Sequence, residues 1–229
     1  MDKDLTKRLL KEAGIPVAAG FVMRRGDPVP NVACYPVFVK PARLGSSVGI
    51  SKVKNRQGLK AAVRAAFRYD DKILIEQAVP DAREIECAVL GNGPYRVSEF
   101  GEIIPSGEFY DFNSKYVDGA SSCLLPAPIP KTLTKTLQAA ARRACRVLGI
   151  EGLARIDFLV SRKTGEWVLN EPNTLPGFTS ISMYPKLWLR QGLTYPHLID
   201  TLIRLALERG RRRARLTTDF SSGSDWYVA

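Results

Sequence analysis

Arg155-Ile-Asp157 and Glu171-Pro-Asn173 alternate functional and apolar residues with the period of a β-strand. Between them lies Ser161-Arg162-Lys163-Thr164-Gly165, which has the length and the glycine of a hairpin connection. A hairpin centred on Thr164 sets Asp157 opposite Glu171 and Arg155 opposite Asn173, so two carboxylates, an amide and a guanidinium share one sheet face. Paired charges on a solvated sheet face are common and contribute little. Here, however, Leu153, Ile156, Phe158, Val160, Trp167 and Leu169 put apolar residues on both faces. Two carboxylates held side by side in a largely buried sheet repel each other unless a cation or a proton intervenes. Two carboxylates and an amide oxygen suit Mg²⁺, which takes hard oxygen ligands and keeps waters or phosphates in its remaining positions.

The rest of the chain excludes several chemistries. A single histidine, His197, rules out a His-rich zinc site, and a Ser-His-Asp relay would depend on it alone. It opens an amphipathic stretch, which favours a structural role. Cys34, Cys87, Cys123 and Cys145 are scattered, with no Cys-x-x-Cys pair, and read as buried thiols in a reducing cytosol. No apolar run is long enough to cross a bilayer and no secretory leader opens the chain, so a cytoplasmic location without a membrane partner is expected. The net charge of +11 raises the question of nucleic acid. Much of the excess sits in Arg204, Arg209, Arg211, Arg212, Arg213 and Arg215, while Arg142, Arg143 and Arg146 have no interleaved aromatics to stack on bases. No nucleic-acid partner is expected.

Periodicity predicts helices over residues 2–13 (Leu5, Leu9 and Leu10 on one side), 55–69, 131–148, 182–189 and 195–208. Strands are predicted over 21–23, 37–40, 72–79, 83–90 and 97–104, and residues 107–128 read as one long loop. A composition shift near residues 80–83 marks a domain boundary. Lys40 ends one strand, and Gly45-Ser46-Ser47-Val48-Gly49 follows; a lysine and the bare amides of a Gly/Ser loop can together hold phosphates. The lysine precedes the loop, so this is no Walker P-loop.

Taken in order, these pieces resemble the ATP-grasp enzymes, and closely the D-alanine–D-alanine ligases. The matching stretches are Phe38-Val-Lys-Pro-Ala-Arg-Leu-Gly-Ser-Ser-Val-Gly49, Ile75-Glu-Gln77, Arg83-Glu-Ile-Glu86, Gly107-Glu-Phe-Tyr-Asp-Phe-Asn-Ser-Lys-Tyr116, Leu153-Ala-Arg-Ile-Asp157, Asn170-Glu-Pro-Asn-Thr-Leu-Pro-Gly-Phe-Thr179 and Ser182-Met-Tyr-Pro-Lys-Leu-Trp188. The resemblance implies an α/β (α+β) ATP-grasp fold whose central and C-terminal domains, residues 1–80 and 81–210, bring mainly antiparallel sheets around ATP. Residues 211–229 would be a basic, disordered tail.

The resemblance also implies roles. Lys40 would contact ATP phosphates beneath the loop carrying Ser46 and Ser47. Glu76 would sit at the hinge that receives adenine, and Glu84, preferred over Glu86 on the expectation that only one faces the nucleotide, would hold the ribose. Asp157, Glu171 and Asn173 would hold Mg²⁺ or Mn²⁺, as two ions. Arg155 and the backbone at Gly177 would stabilise the tetrahedral intermediate, with Ser46 and the loop residues Lys115 and Tyr116 as further catalytic groups, Lys115 also touching the nucleotide. Ser182 and Met183 would meet the second amino acid's carboxylate. The implied reaction joins two D-alanines through an acylphosphate for peptidoglycan precursor synthesis. D-serine as acceptor, or an ATP- and Mg²⁺-binding remnant without turnover, are the alternatives.

Members of the family carry an N-terminal domain ahead of the region matched here. Its loss would remove the site of the first D-alanine's amine and an ATP-binding lysine, with nothing to replace that lysine, and would impair the isolated chain. Monomer and homodimer are both compatible with this reading, as is pairing with a separately encoded N-terminal domain.

Overall fold

The computed structural model describes residues 2–104 and 122–217. In chain order the elements are α1 (Lys3–Glu12), β1 (Gly20–Arg24), β2 (Val37–Pro41), β3 (Ser51–Val53), α2 (Arg56–Ala66), β4 (Lys72–Gln77), β5 (Ala82–Gly91), β6 (Arg96–Ile104), β7 (Ser122–Leu124), α3 (Lys131–Val147), β8 (Gly152–Ser161), β9 (Trp167–Asn173), α4 (Met183–Arg190) and α5 (Tyr195–Ala214). The strands form two sheets, β1-β4-β2-β3 and β7-β6-β5-β8-β9, with every pairing antiparallel.

The first sheet rests on α2. Asn55 caps that helix by accepting from the Gly58 N–H, and Leu59, Ala62, Val63 and Ala66 turn inward at helical spacing onto Val37, Val39, Ile73 and Ile75. The second sheet is apolar on both faces because helices cover it from both sides. Ile85, Cys87, Val89, Ala154, Ile156 and Phe158 point to α3, meeting Leu137, Ala141 and Ala144. Ala88, Leu90 and Ile103 point the other way, under Tyr184, Leu187, Trp188 and Leu198 of α4 and α5. That second cover extends over only part of its face. Two residues along each strand, Glu86, Glu84 and Asp157 open into a cleft between the two sheets.

Four features depart from the sequence reading. Helix α1 turns its charged side inward: Lys3, Asp4, Lys7 and Leu10 are buried, while Leu5 and Leu9 are 56% and 49% exposed. Ion pairs decide that orientation, since Lys72 reaches Asp2 at 2.7 Å and Asp4 at 3.0 Å, and Lys7 reaches Glu76 at 2.8 Å. Short strand β7 forms where a loop is predicted, and β3 forms between the Gly/Ser loop and the predicted helix, completed by pairing with β6 and β2 respectively. Helix α5 continues through Arg211–Arg213 to Ala214, where a tail is predicted, because Arg209 (2.7 Å) and Arg212 both pair with Glu151. Of the cysteines, Cys87 and Cys145 are buried as expected, Cys123 is half-buried and Cys34 is exposed.

Candidate functional site

The β8–β9 hairpin has the expected register where it matters. Arg155 pairs with Asn173, Ile156 with Pro172 and Asp157 with Glu171. A bulge follows: Phe158 faces Leu169, which leaves Asn170 as the extra residue and turns it into the cleft. On the other side of β8, Asp157 pairs with Glu86. Glu86, Asp157 and Glu171 therefore form a row across three strands.

Arg155 organises that row. Its Nε donates to Asp157 Oδ1 at 2.7 Å and its Nη2 to Oδ2 at 2.8 Å, while Nε also lies 3.2 Å from Glu86 Oε2. Burial disfavours the charged guanidinium, but the Asp157 and Glu86 carboxylates outweigh it and hold the group well above its ordinary pKa. Lys3, from the first turn of α1, stands 3.5 Å from Glu171 Oε2 and donates to the Leu44 carbonyl.

The opposite wall comes from the first sheet. Lys40, next to last in β2, pairs with Glu76 of β4, whose other oxygen lies 2.8 Å from Lys7 Nζ. Burial pushes the Glu76 carboxyl upward, yet Lys40 and then Lys7 prevail and leave it below its usual range. Lys7 shows the reverse balance: burial and the neighbouring Lys40 lower it to about 8 against the pull of Glu76.

Above Lys40 the Gly/Ser loop makes two tight turns, with Val48 N–H donating to Gly45 O and Ile50 N–H to Ser47 O. Ser46 and Ser47 both adopt left-handed backbone, with φ of 54° and 59°. Consecutive residues of that kind are uncommon in L-amino acids and concentrate at ligand clamps. The cleft holds about 390 Å³, lined by Phe38, Ile50, Val79 and Leu159 as apolar walls and by Lys3, Lys40, Ser46, Ser47, Glu84 and Arg155 among its polar groups. An apolar slot with cations at one end and carboxylates beyond suits a planar base carrying phosphates.

Each expected residue can now be placed. Lys40, Ser46, Ser47, Glu76, Glu84, Arg155, Asp157 and Glu171 all line the cleft. Glu84 and Glu86 do so together, which corrects the expectation that only one faces it; residues i and i+2 of a strand share a face. Glu76 is held as the shared partner of Lys40 and Lys7. Asn173 lies at the end of β9, outside the cleft wall, and its side-chain oxygen accepts from the Leu175 N–H at 3.2 Å. Gly177 is outside the wall too, and packs so closely on Ser182 that a Cβ there would lie 2.6 Å from Ser182 Oγ. Ser182 Oγ accepts from the Thr179 N–H at 3.1 Å, tying this turn to the start of α4. The Met183 side chain is buried under the sheet, so only its backbone at the first turn of α4 is available to a ligand. Lys115 and Tyr116 lie outside the described residues. His197 is exposed on α5, away from the cleft.

Lys3, Glu86 and Asn170 line the same cleft without having been expected there. Lys3 reaches the cleft from the first turn of α1 and brings a second lysine beside Lys40. The sequence signal for it is helical spacing, which sets Lys3 and Lys7 on one face of α1, away from the exposed Leu5 and Leu9. Strand alternation points to Glu86, whereas the bulge that presents Asn170 leaves no signal in the sequence.

The donor set fits a hard divalent cation. Asp157 and Glu171 offer carboxylate oxygens with lone pairs to spare, and the Asn173 amide stands beside them on the same face. Among the described residues no three acidic, histidine or cysteine side chains converge on one point. A cation here would accordingly rest on two carboxylates, an amide and oxygens supplied by ligand or water.

Known proteins resemble this chain in sequence and fold. The family described as "D-ala D-ala ligase C-terminus" matches residues 9–204. D-alanine–D-alanine ligases from Thermoanaerobacter sp. (strain X514) and Sodalis glossinidius (strain morsitans) are 50% identical over 225 residues and 49% identical over 224. Each alignment covers 94% of this chain but only 62% and 61% of the relative. Among solved structures, the D-alanine–D-alanine ligase from Coxiella burnetii superposes with a TM-score of 0.83 at 38% identity, over 94% of this chain and 59% of that one. The VanG D-Ala:D-Ser ligase from Enterococcus faecalis gives 0.77 at 36% identity, over 90% of this chain and 61% of that one. The chain thus spans about three-fifths of the length of the relatives it matches. With two antiparallel sheets facing across a cleft, and with most of its length matched, this chain has the ATP-grasp fold and belongs to the D-alanine–D-alanine ligase C-terminal family.

Proposed function

We propose that this chain carries the nucleotide-binding and acyl-transfer site of an ATP-dependent D-alanine–D-alanine ligase, acting in the cytoplasm on small-molecule substrates to make a peptidoglycan precursor. The observation that carries the reading is the facing of two charged walls: Lys40, Lys3 and the Ser46-Ser47 loop on one side, and the Arg155-Asp157-Glu171 row on the other. Adenine would occupy the slot beside Phe38, Val79 and Leu159, with Glu84 near the ribose. Lys40, Lys3 and the loop amides would cradle the phosphates. Asp157, Glu171 and Asn173 would hold Mg²⁺, as one or two ions; bound there, the metal supplies charge neutralisation between the phosphates.

In the first step a carboxylate oxygen of one D-alanine forms a bond to the γ-phosphorus while the bond to the ADP oxygen breaks. In the second, the amine nitrogen of another D-alanine attacks the acyl carbon, loses its proton, and phosphate departs. Arg155 is already desolvated and fixed by Asp157 and Glu86, so it stabilises developing negative charge without reorganising. The backbone near Gly177 and the N–H groups opening α4 at Ser182 and Met183 would position the acceptor's carboxylate. Lys115 and Tyr116 would complete the site from the loop over it, excluding water from the acylphosphate. Most of the acceleration is thus assigned to positioning and electrostatics.

The likeness to the VanG D-Ala:D-Ser ligase supports D-serine as a second acceptor to be tried. The test is D-alanine-dependent phosphate release from Mg-ATP, with Asp157→Ala as control and D-serine in parallel. Release that requires D-alanine and disappears in the variant supports the ligase reading. ATP binding without release makes the chain a nucleotide-binding remnant, and no ATP binding overturns the reading altogether.

A further inference from the structure

Lys7 lies behind the cleft wall, not in it. Its ammonium and that of Lys40 share one carboxylate, Glu76, with Oε1 2.8 Å from Lys7 and Oε2 on Lys40. All three residues are buried, at 8%, 7% and 4% exposure for Lys7, Lys40 and Glu76. Two buried like charges on one acid are expensive, and burial followed by repulsion from Lys40 lowers Lys7 to about 8. The Lys7 charge therefore costs the fold stability. Nor does the docking of α1 rest on it alone, because Lys72 also ties that helix to β4 through Asp2 and Asp4, at 2.7 and 3.0 Å.

We propose that Lys7 is a positioning residue for nucleotide phosphates: by taking one oxygen of Glu76, it keeps Lys40 from closing into a neutral pair and leaves net positive charge facing the cleft. This rests on the nucleotide reading above. The triad carries one excess positive charge; without Lys7, an isolated Lys40–Glu76 pair carries none, and a phosphate would have to compete with Glu76 for the same ammonium. An ammonium has three donors, so Lys40 can keep its Glu76 contact and still donate to a ligand.

The probes are ADP and adenosine, which share the base and ribose and differ in phosphate, with binding measured calorimetrically on the full chain in the presence of Mg²⁺. Lys7→Met should weaken ADP by about tenfold, the equivalent of one charge-assisted hydrogen bond. Adenosine affinity should stay unchanged and Tm should not fall, and Lys7→Arg should restore most of the ADP affinity. In the unmodified chain, ADP affinity should fall as pH rises past about 8, where Lys7 loses its proton. The charged groups facing Lys7 are Lys40 on β2, Glu76 on β4 and, at longer range, Glu171 on β9. Adenosine should show no such fall.

Equal ADP binding by Lys7→Met and the unmodified chain overturns the proposal, as does parallel weakening of ADP and adenosine with a lowered Tm, which is the signature of a mere tether. If the variant does not fold, a flat ADP profile through pH 8 in the unmodified chain overturns it instead. Failure of the unmodified chain to bind either probe defeats the nucleotide reading itself, and the proposal with it.

Discussion

Replacing Arg155 by methionine keeps the apolar stem and removes the one guanidinium that separates Asp157 from Glu86. The side chains are 19%, 13% and 5% exposed for Arg155, Asp157 and Glu86, and the contacts run from 2.7 to 3.2 Å. At about 3 Å and an effective dielectric of about 20, each guanidinium–carboxylate contact is worth roughly 5 kcal/mol before desolvation. Breaking a buried pair by removing one partner costs about 3–5 kcal/mol net. The carboxylates that lose this partner limit the loss by taking up a proton. The expected loss near neutral pH is therefore about 3 kcal/mol, or roughly 10 °C in Tm for a chain of this size. The sign of its pH dependence follows from proton counting. In the variant the folded state holds a proton that the unfolded state has released, so the deficit relative to the parent shrinks as pH falls from neutral towards the ordinary carboxyl range. Mg²⁺ should restore part of the deficit, because a cation at Asp157 and Glu171 replaces the missing charge. Urea titrations followed by circular dichroism, over this pH range and with or without MgCl₂, measure all three effects. A loss below about 1 kcal/mol near neutral pH, or one that does not change with pH, would refute the claim that Arg155 neutralises this row.

Two other perturbations test the frame that holds the site. Gly101 faces Met183 so closely that an added Cβ would stand 2.5 Å from its Sδ, 2.8 Å from its Cε and 3.0 Å from Leu125 Cδ2; Gly101→Ala should destabilise by about 1–3 kcal/mol in urea titration and loosen the start of α4. Glu102, 1% exposed, accepts from Arg83 at 2.9 and 2.6 Å and from Arg162 at 3.2 Å. These bonds, led by Arg83, lower its pKa, so its contribution is present above the ordinary carboxyl range and is lost as pH falls through the depressed value. Glu102→Gln should cost about 1–3 kcal/mol near neutral pH and flatten the acid limb of the stability profile.

Much of the site was legible because it lies on strands. Period-two alternation indicated that Arg155 and Asp157 share one face of their strand, as do Glu171 and Asn173 of theirs, which is a local fact that the chain carries in its order. That Asp157 meets Glu171 depends on the bulge, since the register beside the turn continued unbroken would set it opposite Asn170. The family motifs around Lys40, Glu76 and Glu84 were legible for the same reason. What order alone did not decide was the outcome of competition between distant groups. By its leucines α1 should bury Leu5 and Leu9, yet Lys72, Glu76 and Glu171, all from strands far along the chain, turn Lys3, Asp4 and Lys7 inward. Helix α5 outlasts its predicted end because Glu151, in the connection between α3 and β8, pairs with Arg209 and Arg212. The bulge at Asn170 arises only once β8 and β9 are paired. Hydrophobic periodicity is written residue by residue, whereas a buried charge is stabilised only by partners that the fold brings to it; the face that Arg155 and Asp157 share was therefore determined by sequence, and the Lys7–Glu76–Lys40 triad by tertiary structure.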